Sequence, residues 1–316
     1  MKPSFSLSDA LGAPFRLTAN RPLTVFVWGM LMLAMMVATY ALLIPLFANL
    51  PLDDADAAME GYMAEAMAVS AFSNLMTVVM YGVMLMIFTG SIRAALNPQA
   101  RSRFFFLKLG MDEVRAAVAI VALFIGWYVA LVILAMIGFA LGAAFWGAGK
   151  AVAIPVVVIY GLAVLVLSIW AWCRVSLIAP AGVILGRFAF EEGWRIARGQ
   201  VWKLVGMNIL LWLIYMVAYV ATLALAAAIL AGGFMIQGLQ WPSDVRTLAD
   251  LAPVVQPMIL PAVVAALPMA FLFGWLTTLW SVPSAVAARQ LLDGTPASGE
   301  REAVAPAPTE SAPQEI

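Results

Sequence analysis

The chain has 316 residues, 65% of them hydrophobic and 11% charged, and its 17 Lys and Arg balance its 17 Asp and Glu. A soluble domain carries about 25% charged residues, and one soluble core of this length has nowhere to hide such an apolar excess, whereas a bilayer solvates it. With no histidine and one cysteine, Cys173, the chain has no Ser-His-Asp or Cys-His triad, no His-ligated zinc or haem, and no internal disulfide.

In chain order, residues 1–22 read as a cytoplasmic interfacial segment in which Ser8 caps a short helix presenting Leu7, Leu11 and Phe15 to the headgroups. A first span over about residues 23–46 is too long and too late for a cleaved signal peptide. The following segment holds Asp53, Asp54, Asp56, Glu60 and Glu65 and no base. It lacks the glycine and the ligand alternation of a calcium loop, so it reads as a solvated outer loop.

A second span over about 66–92 ends at Arg93, and the next segment mixes Arg101, Arg103 and Lys108 with Phe104, Phe105 and Phe106. That mixture suits a loop lying on anionic headgroups. Spans three and four cover about 116–145 and 151–172, with Trp146 and Lys150 at the outer interface and Trp170, Trp172 and Arg174 at the inner one. Residues 174–203 read as an inner loop with one amphipathic helix, in which Glu191 and Arg195 stand four apart, Phe190, Trp194 and Ala197 share a face, and Gly199 is the C-cap. Arg195, Arg198 and Lys203 are further headgroup contacts.

Spans five and six cover about 204–230 and 258–282; Pro261 and Pro268 interrupt the sixth and Pro283 follows it. Residues 23–293 thus form the membrane domain, and the Pro-, Ala- and Glu-rich stretch 294–316 reads as a disordered cytoplasmic tail. With the first polar segment placed inside, only Lys150 and Arg246 among the Lys and Arg fall outside. This asymmetry predicts six spans with both termini in the cytoplasm.

Two polar faces are the candidate sites. Ser70, Ser73, Asn74, Thr77 and Tyr81 share one side of span two, and Asn208, Tyr215, Tyr219 and Thr222 lie along span five. Asn in hydrocarbon is costly unless paired, so the face on span two is expected to point into the bundle, with that on span five as its counterpart. They line a hydrated cavity or a lipid groove, or they are interhelical hydrogen bonds worth about 0.6 kcal/mol each. No carboxylate lies inside a span apart from Glu65 at an edge, which argues against an ion-coupled pump. Gly138 and Gly142 permit a close helix approach in span three.

A hairpin repeat is suggested by Thr89-Gly-Ser-Ile-Arg-Ala-Ala-Leu96, Trp172-Cys-Arg-Val-Ser-Leu177 and Pro283-Ser-Ala-Val-Ala-Ala-Arg-Gln-Leu291, together with Lys108-Leu-Gly-Met111 and Lys203-Leu-Val-Gly-Met207. The segment Arg174-Val-Ser-Leu-Ile-Ala-Pro-Ala181, followed by Phe190-Glu-Glu-Gly-Trp-Arg-Ile-Ala-Arg-Gly-Gln-Val-Trp-Lys203, resembles that of six-span bacterial inner-membrane proteins. These are similar to the membrane domain fused to some glycerophosphodiester phosphodiesterases. The resemblance implies a fold and a bacterial inner membrane but no activity, because the His-dependent catalytic set is absent.

The expectation is therefore an all-α, six-span membrane protein with interfacial helices, non-enzymatic and without cofactor, metal or nucleic-acid partner. Its partners are anionic lipid or another membrane protein at the inner loops. The alternative is a lipid or small-molecule transporter using the polar faces of spans two and five.

Overall fold

The structure is a computed structural model that describes residues 4–47, 55–97, 104–108, 110–147, 149–240 and 248–294. Among the described residues every regular element is helical. The helices are α1 (Leu7–Asn20), α2 (Pro22–Phe47), α3 (Ala55–Leu96), α4 (Met111–Trp146), α5 (Lys150–Val175), α6 (Ile178–Leu185), α7 (Phe190–Ile196), α8 (Val201–Ile236) and α9 (Ala252–Asp293). Six of them, α2, α3, α4, α5, α8 and α9, are long and apolar enough to cross a membrane, and the protein is an all-α, multi-pass membrane protein. The helices overrun the expected spans, most of all α3, which begins at Ala55, and α9, which ends at Asp293. Hydropathy marks where lipid ends; an α-helix continues as long as its backbone pairs internally.

The central post is α9, against which α1, α2, α3 and α8 pack. Its inward positions are mostly small, among them Ala265, Ala270, Gly274, Ala285 and Ala288, so neighbouring backbones come close. The tightest crossing is with α2. A Cβ added at Gly29 would overlap the Ala270 carbonyl, and one added at Gly274 would overlap the Val25 carbonyl. The prolines do not interrupt α9: Pro257, Pro261, Pro268 and Pro283 all lie inside one helix, and Pro283, expected past the span, is buried in it.

Several details depart from the expected surface. Ser6, not Ser8, caps α1 and accepts from the Asp9 amide at 3.3 Å. The helix does not lie free on headgroups, because Ala10, Ala13, Pro14 and Leu17 are buried against the bundle; Phe15 stays half-exposed, edge-on to Trp275. The stretch after α3 is tied to the bundle through its backbone, although the Phe105 ring stays exposed. Trp28 Nε1 donates to the Phe105 carbonyl at 3.0 Å, and Arg93 Nη2 donates to the Phe106 carbonyl at 3.1 Å. Phe105 and Phe106 both take positive φ, which is strained for non-glycine residues and is held by these two bonds.

Residues 174–203 form two helices rather than one. Helix α6, unforeseen from the sequence, buries Ile178 to Gly182, and α7 packs on it through Gly193, where a Cβ would stand 2.6 Å from the Ile178 Cα. The buried face of α7 is therefore Gly193, Ile196 and Ala197, while Phe190 and Trp194 are half-exposed. Glu192, not Glu191, carries the ion pair, with Arg187 at 2.9 Å. Gly199 takes φ +85° in the turn beyond α7, which ends earlier with Ala197 as its cap. The tail 295–316 lies outside the described residues.

Candidate functional site

Helices α4 and α5 pair with each other but stand away from the post. Gly138 packs under the Tyr160 ring, whose hydroxyl donates to the Leu134 carbonyl, so the close approach foreseen at Gly138 and Gly142 is made within the chain. At the end that carries Arg115 and Arg174 the hairpin is anchored by Ala119 on Ile178 and Ala179 of α6. Between this hairpin and α3, α8 and α9 a crevice of about 850 Å³ remains, within the range of about 300–1,000 Å³ usual for ligand sites.

Its walls are largely apolar, with Met84 and Phe88 from α3, Leu131 and Leu134 from α4, and Leu211 from α8. Ser168, Asn208 and Tyr215 add a thin polar strip. The Asn208 amide donates to the Leu204 carbonyl at 2.9 Å and to the Cys173 sulfur at 3.8 Å. Ser168 lies six residues before Arg174 and Met84 nine residues before Arg93. At 1.5 Å per residue these are depths of about 9 and 14 Å, while Tyr215, twelve residues beyond Lys203, lies about 18 Å along α8, so the crevice runs from the basic ends past the middle of the bundle.

Tryptophans crowd that basic end. Trp127 of α4 meets Trp172 of α5 edge to face at 6.1 Å, and Trp170 of α5 meets Trp194 of α7 at 6.0 Å. The Arg174 guanidinium sits between the second pair, 5.0 Å from the Trp170 ring centre and 4.2 Å from that of Trp194. Its Nε is buried without a hydrogen-bond partner. Leaving a buried donor unpaired costs about 1–3 kcal/mol; two cation–π contacts, each worth up to about 2 kcal/mol when desolvated, offset that.

Compared with known proteins, the chain matches no family model, no curated protein and no solved structure. The geometry and chemistry of the crevice are therefore the guide to function.

The two polar faces foreseen in the sequence do not meet. Helices α3 and α8 each pack on α9 rather than on one another. On α8, Asn208 and Tyr215 line the crevice, Tyr219 stacks on Tyr215 at 5.9 Å, and Thr222 is half-buried further along. On α3 the expectation fails: Ser70, Asn74 and Tyr81 are exposed, Ser73 and Thr77 are half-buried, and Thr77 bonds back to the Ser73 carbonyl at 2.7 Å. The reason is depth. Asn74 stands nineteen residues before Arg93, about 28 Å along the helix, close to the far edge of a hydrocarbon layer about 30 Å thick. Water reaches it there without a cavity. Asn74→Leu is therefore expected to shift unfolding in detergent by less than about 1 kcal/mol; a larger loss, measured by thermal melting, would return this face to the core.

Among the foreseen headgroup contacts, Lys108, Arg195, Arg198 and Lys203 are exposed, with Lys203 Nζ 5.9 Å from the Phe5 ring centre. Arg101 and Arg103 lie outside the described residues.

One charged group is buried where none was expected. Glu113, 2% exposed in the first turn of α4, accepts from Arg93 Nη2 at 2.5 Å and from Thr89 Oγ1 at 2.9 Å. Arg93 also reaches Asp112 at 3.6 Å, and Asp112 holds Arg115 at 3.0 Å. This cluster ties α3 to α4 at the basic end. Beside it, Ser91 and Ser281 share a hydrogen bond at 2.5 Å that ties α3 to α9.

Proposed function

We propose that this is a non-enzymatic protein of a bacterial inner membrane, with its basic ends and both termini in the cytoplasm, that takes a membrane lipid from the inner leaflet into the crevice. The observation that carries the reading is the crevice itself: about 850 Å³, apolar along its length, with its polar strip on α5 and α8. A water-filled permeation path needs polar walls, and a folded core leaves no such volume. An acyl chain fits both the chemistry and the depth. The exposed Arg195, Arg198 and Lys203 border the same inner surface and supply attraction for anionic lipid, at about 1 kcal/mol per basic residue near such a surface. The absence of histidine and the single buried cysteine support a non-enzymatic role. The likeness of residues 174–203 to a membrane domain fused to phosphodiesterases supports the bacterial setting and adds no activity.

Gly126 offers a direct test. It lines the crevice, and a Cβ there meets nothing within 4 Å. Gly126→Phe should fill the space without strain and, since glycine costs about 1 kcal/mol in a helix, without loss of stability. In nanodiscs holding a lipid with a photoreactive acyl tail, labelling is expected at Trp127, Leu131 and Leu211 in the parent protein and should fall severalfold in Gly126→Phe. Labelling spread evenly over the outward residues of α4, such as Ile125 and Phe139, with no enrichment in the crevice would overturn the proposal.

A further inference from the structure

We propose that Arg174, clasped between Trp170 and Trp194 at the inner end of the crevice, is the headgroup subsite for an anionic glycerophospholipid whose acyl chains occupy the crevice; this rests on the lipid-binding reading above.

Four of the nine arginines among the described residues are neutralised by a carboxylate. Arg93 is held by Glu113 and Asp112, Arg115 by Asp112, Arg187 by Glu192 and Arg289 by Asp293. Arg174 has no carboxylate against it among the described residues; aromatic rings hold it instead. Rings fix the plane of a guanidinium and leave its net charge unneutralised. A fixed, unneutralised guanidinium fork matches the paired oxygens of a phosphodiester. The Nε–H is covered and meets no acceptor, so the tip nitrogens of the half-exposed side chain are the donors left to a ligand.

Position makes the ligand a lipid rather than a free anion. Trp194 belongs at once to the arginine clasp and to the crevice wall, and Trp172, Val175 and Ser176, the chain neighbours of Arg174, line the crevice too. A phosphate at Arg174 therefore has the apolar space directly below it, with Ser168 about one and a half helical turns deeper. An amphiphile with its charge at the inner interface and its chains in the inner leaflet satisfies both parts at once.

The test uses the full chain in mild detergent, titrated with phosphatidylglycerol or phosphatidylcholine of the same acyl chains and read by native mass spectrometry. The parent protein is expected to favour phosphatidylglycerol by about tenfold, the scale of one charge-assisted contact. Arg174→Gln should bring that ratio to about one while photolabelling in the crevice persists. Arg174→Lys should recover only part of it, because an ammonium has no fork and stacks poorly. Trp194→Leu, which frees the guanidinium, should lower the preference with the charge intact, and melting curves establish that each variant is folded. An unchanged preference in folded Arg174→Gln would overturn the headgroup assignment and leave lipid binding in the crevice standing. Absence of crevice labelling in the parent protein would instead remove the reading beneath it. Millimolar inorganic phosphate should not compete; displacement by it as effective as by the lipid would make the site one for a free anion and overturn the proposal.

Discussion

Gly274→Ala should be among the most damaging single-methyl changes available to this protein. Added bulk in a packed core costs about 1–3 kcal/mol when side chains can give way. At Gly274 the new Cβ would run into the Val25 carbonyl and stand 2.9 Å from the Gly29 amide nitrogen, so two backbones must part. The loss is expected at or above about 3 kcal/mol, seen as a lower melting temperature in mild detergent and reduced accumulation. Gly29→Ala, which meets Ala270 and Gly274 from the other side, should behave alike. Gly82→Ala is the control, since nothing lies within 4 Å of a Cβ there. Equal stability of the Gly82 and Gly274 variants would mean that α2 and α9 do not cross as described.

The second large effect lies in the buried charge cluster. Glu113→Ala removes the carboxylate that accepts from Arg93 and Thr89 and leaves the guanidinium partly buried beside an apolar gap. Breaking one side of a buried pair costs about 3–5 kcal/mol, whereas replacing both sides with apolar groups is often near neutral. Arg93→Met alone should therefore be severe, and Arg93→Met with Glu113→Leu should regain much of the loss, although Asp112 and the Phe106 carbonyl also lose a partner. Chemical unfolding of the single and double variants measures the coupling. Additive losses would make Glu113 a passenger rather than the clamp between α3 and α4.

The membrane fold is legible in the sequence because lipid imposes one plain demand, some twenty apolar residues with internally paired backbone, and six stretches of this chain meet it. Which helix stands at the centre is not. In a bilayer the outside of a bundle is as apolar as its inside, and small residues do not mark the centre either, since the peripheral α4 is richer in Ala and Gly than the central α9, where Ala270 and Gly274 matter by position alone. Glu113 escapes notice in the sequence because charge ordinarily marks water; a carboxylate held by Arg93 and Thr89 can sit inside the first turn of a span. Helix α6 escapes it because eight apolar residues are too few to cross and pass for loop.

The candidate site is half legible. Asn208 and Tyr215 stand out by polarity alone and do line the crevice, but Ser70, Asn74 and Tyr81 stand out equally and face away. Polarity says that a group needs a partner or water; it does not say how deep the group lies. Trp127, Trp172 and Trp194 come from three elements, and the tertiary fold alone brings them to one end of one cavity.

The placement of α9 also governs how the chain is assembled as it leaves the ribosome. Helix α2 presents Val25 and Gly29 to a partner that is synthesised only after every other candidate span. Until then its close-packing face has only lipid or the translocon against it, and α1, α3 and α8 lack the same post. Insertion can proceed helix by helix, but compaction waits for the last of them, since contacts this distant in sequence close late. Nascent chains stalled before α9 should therefore be open bundles and preferred substrates for membrane quality control.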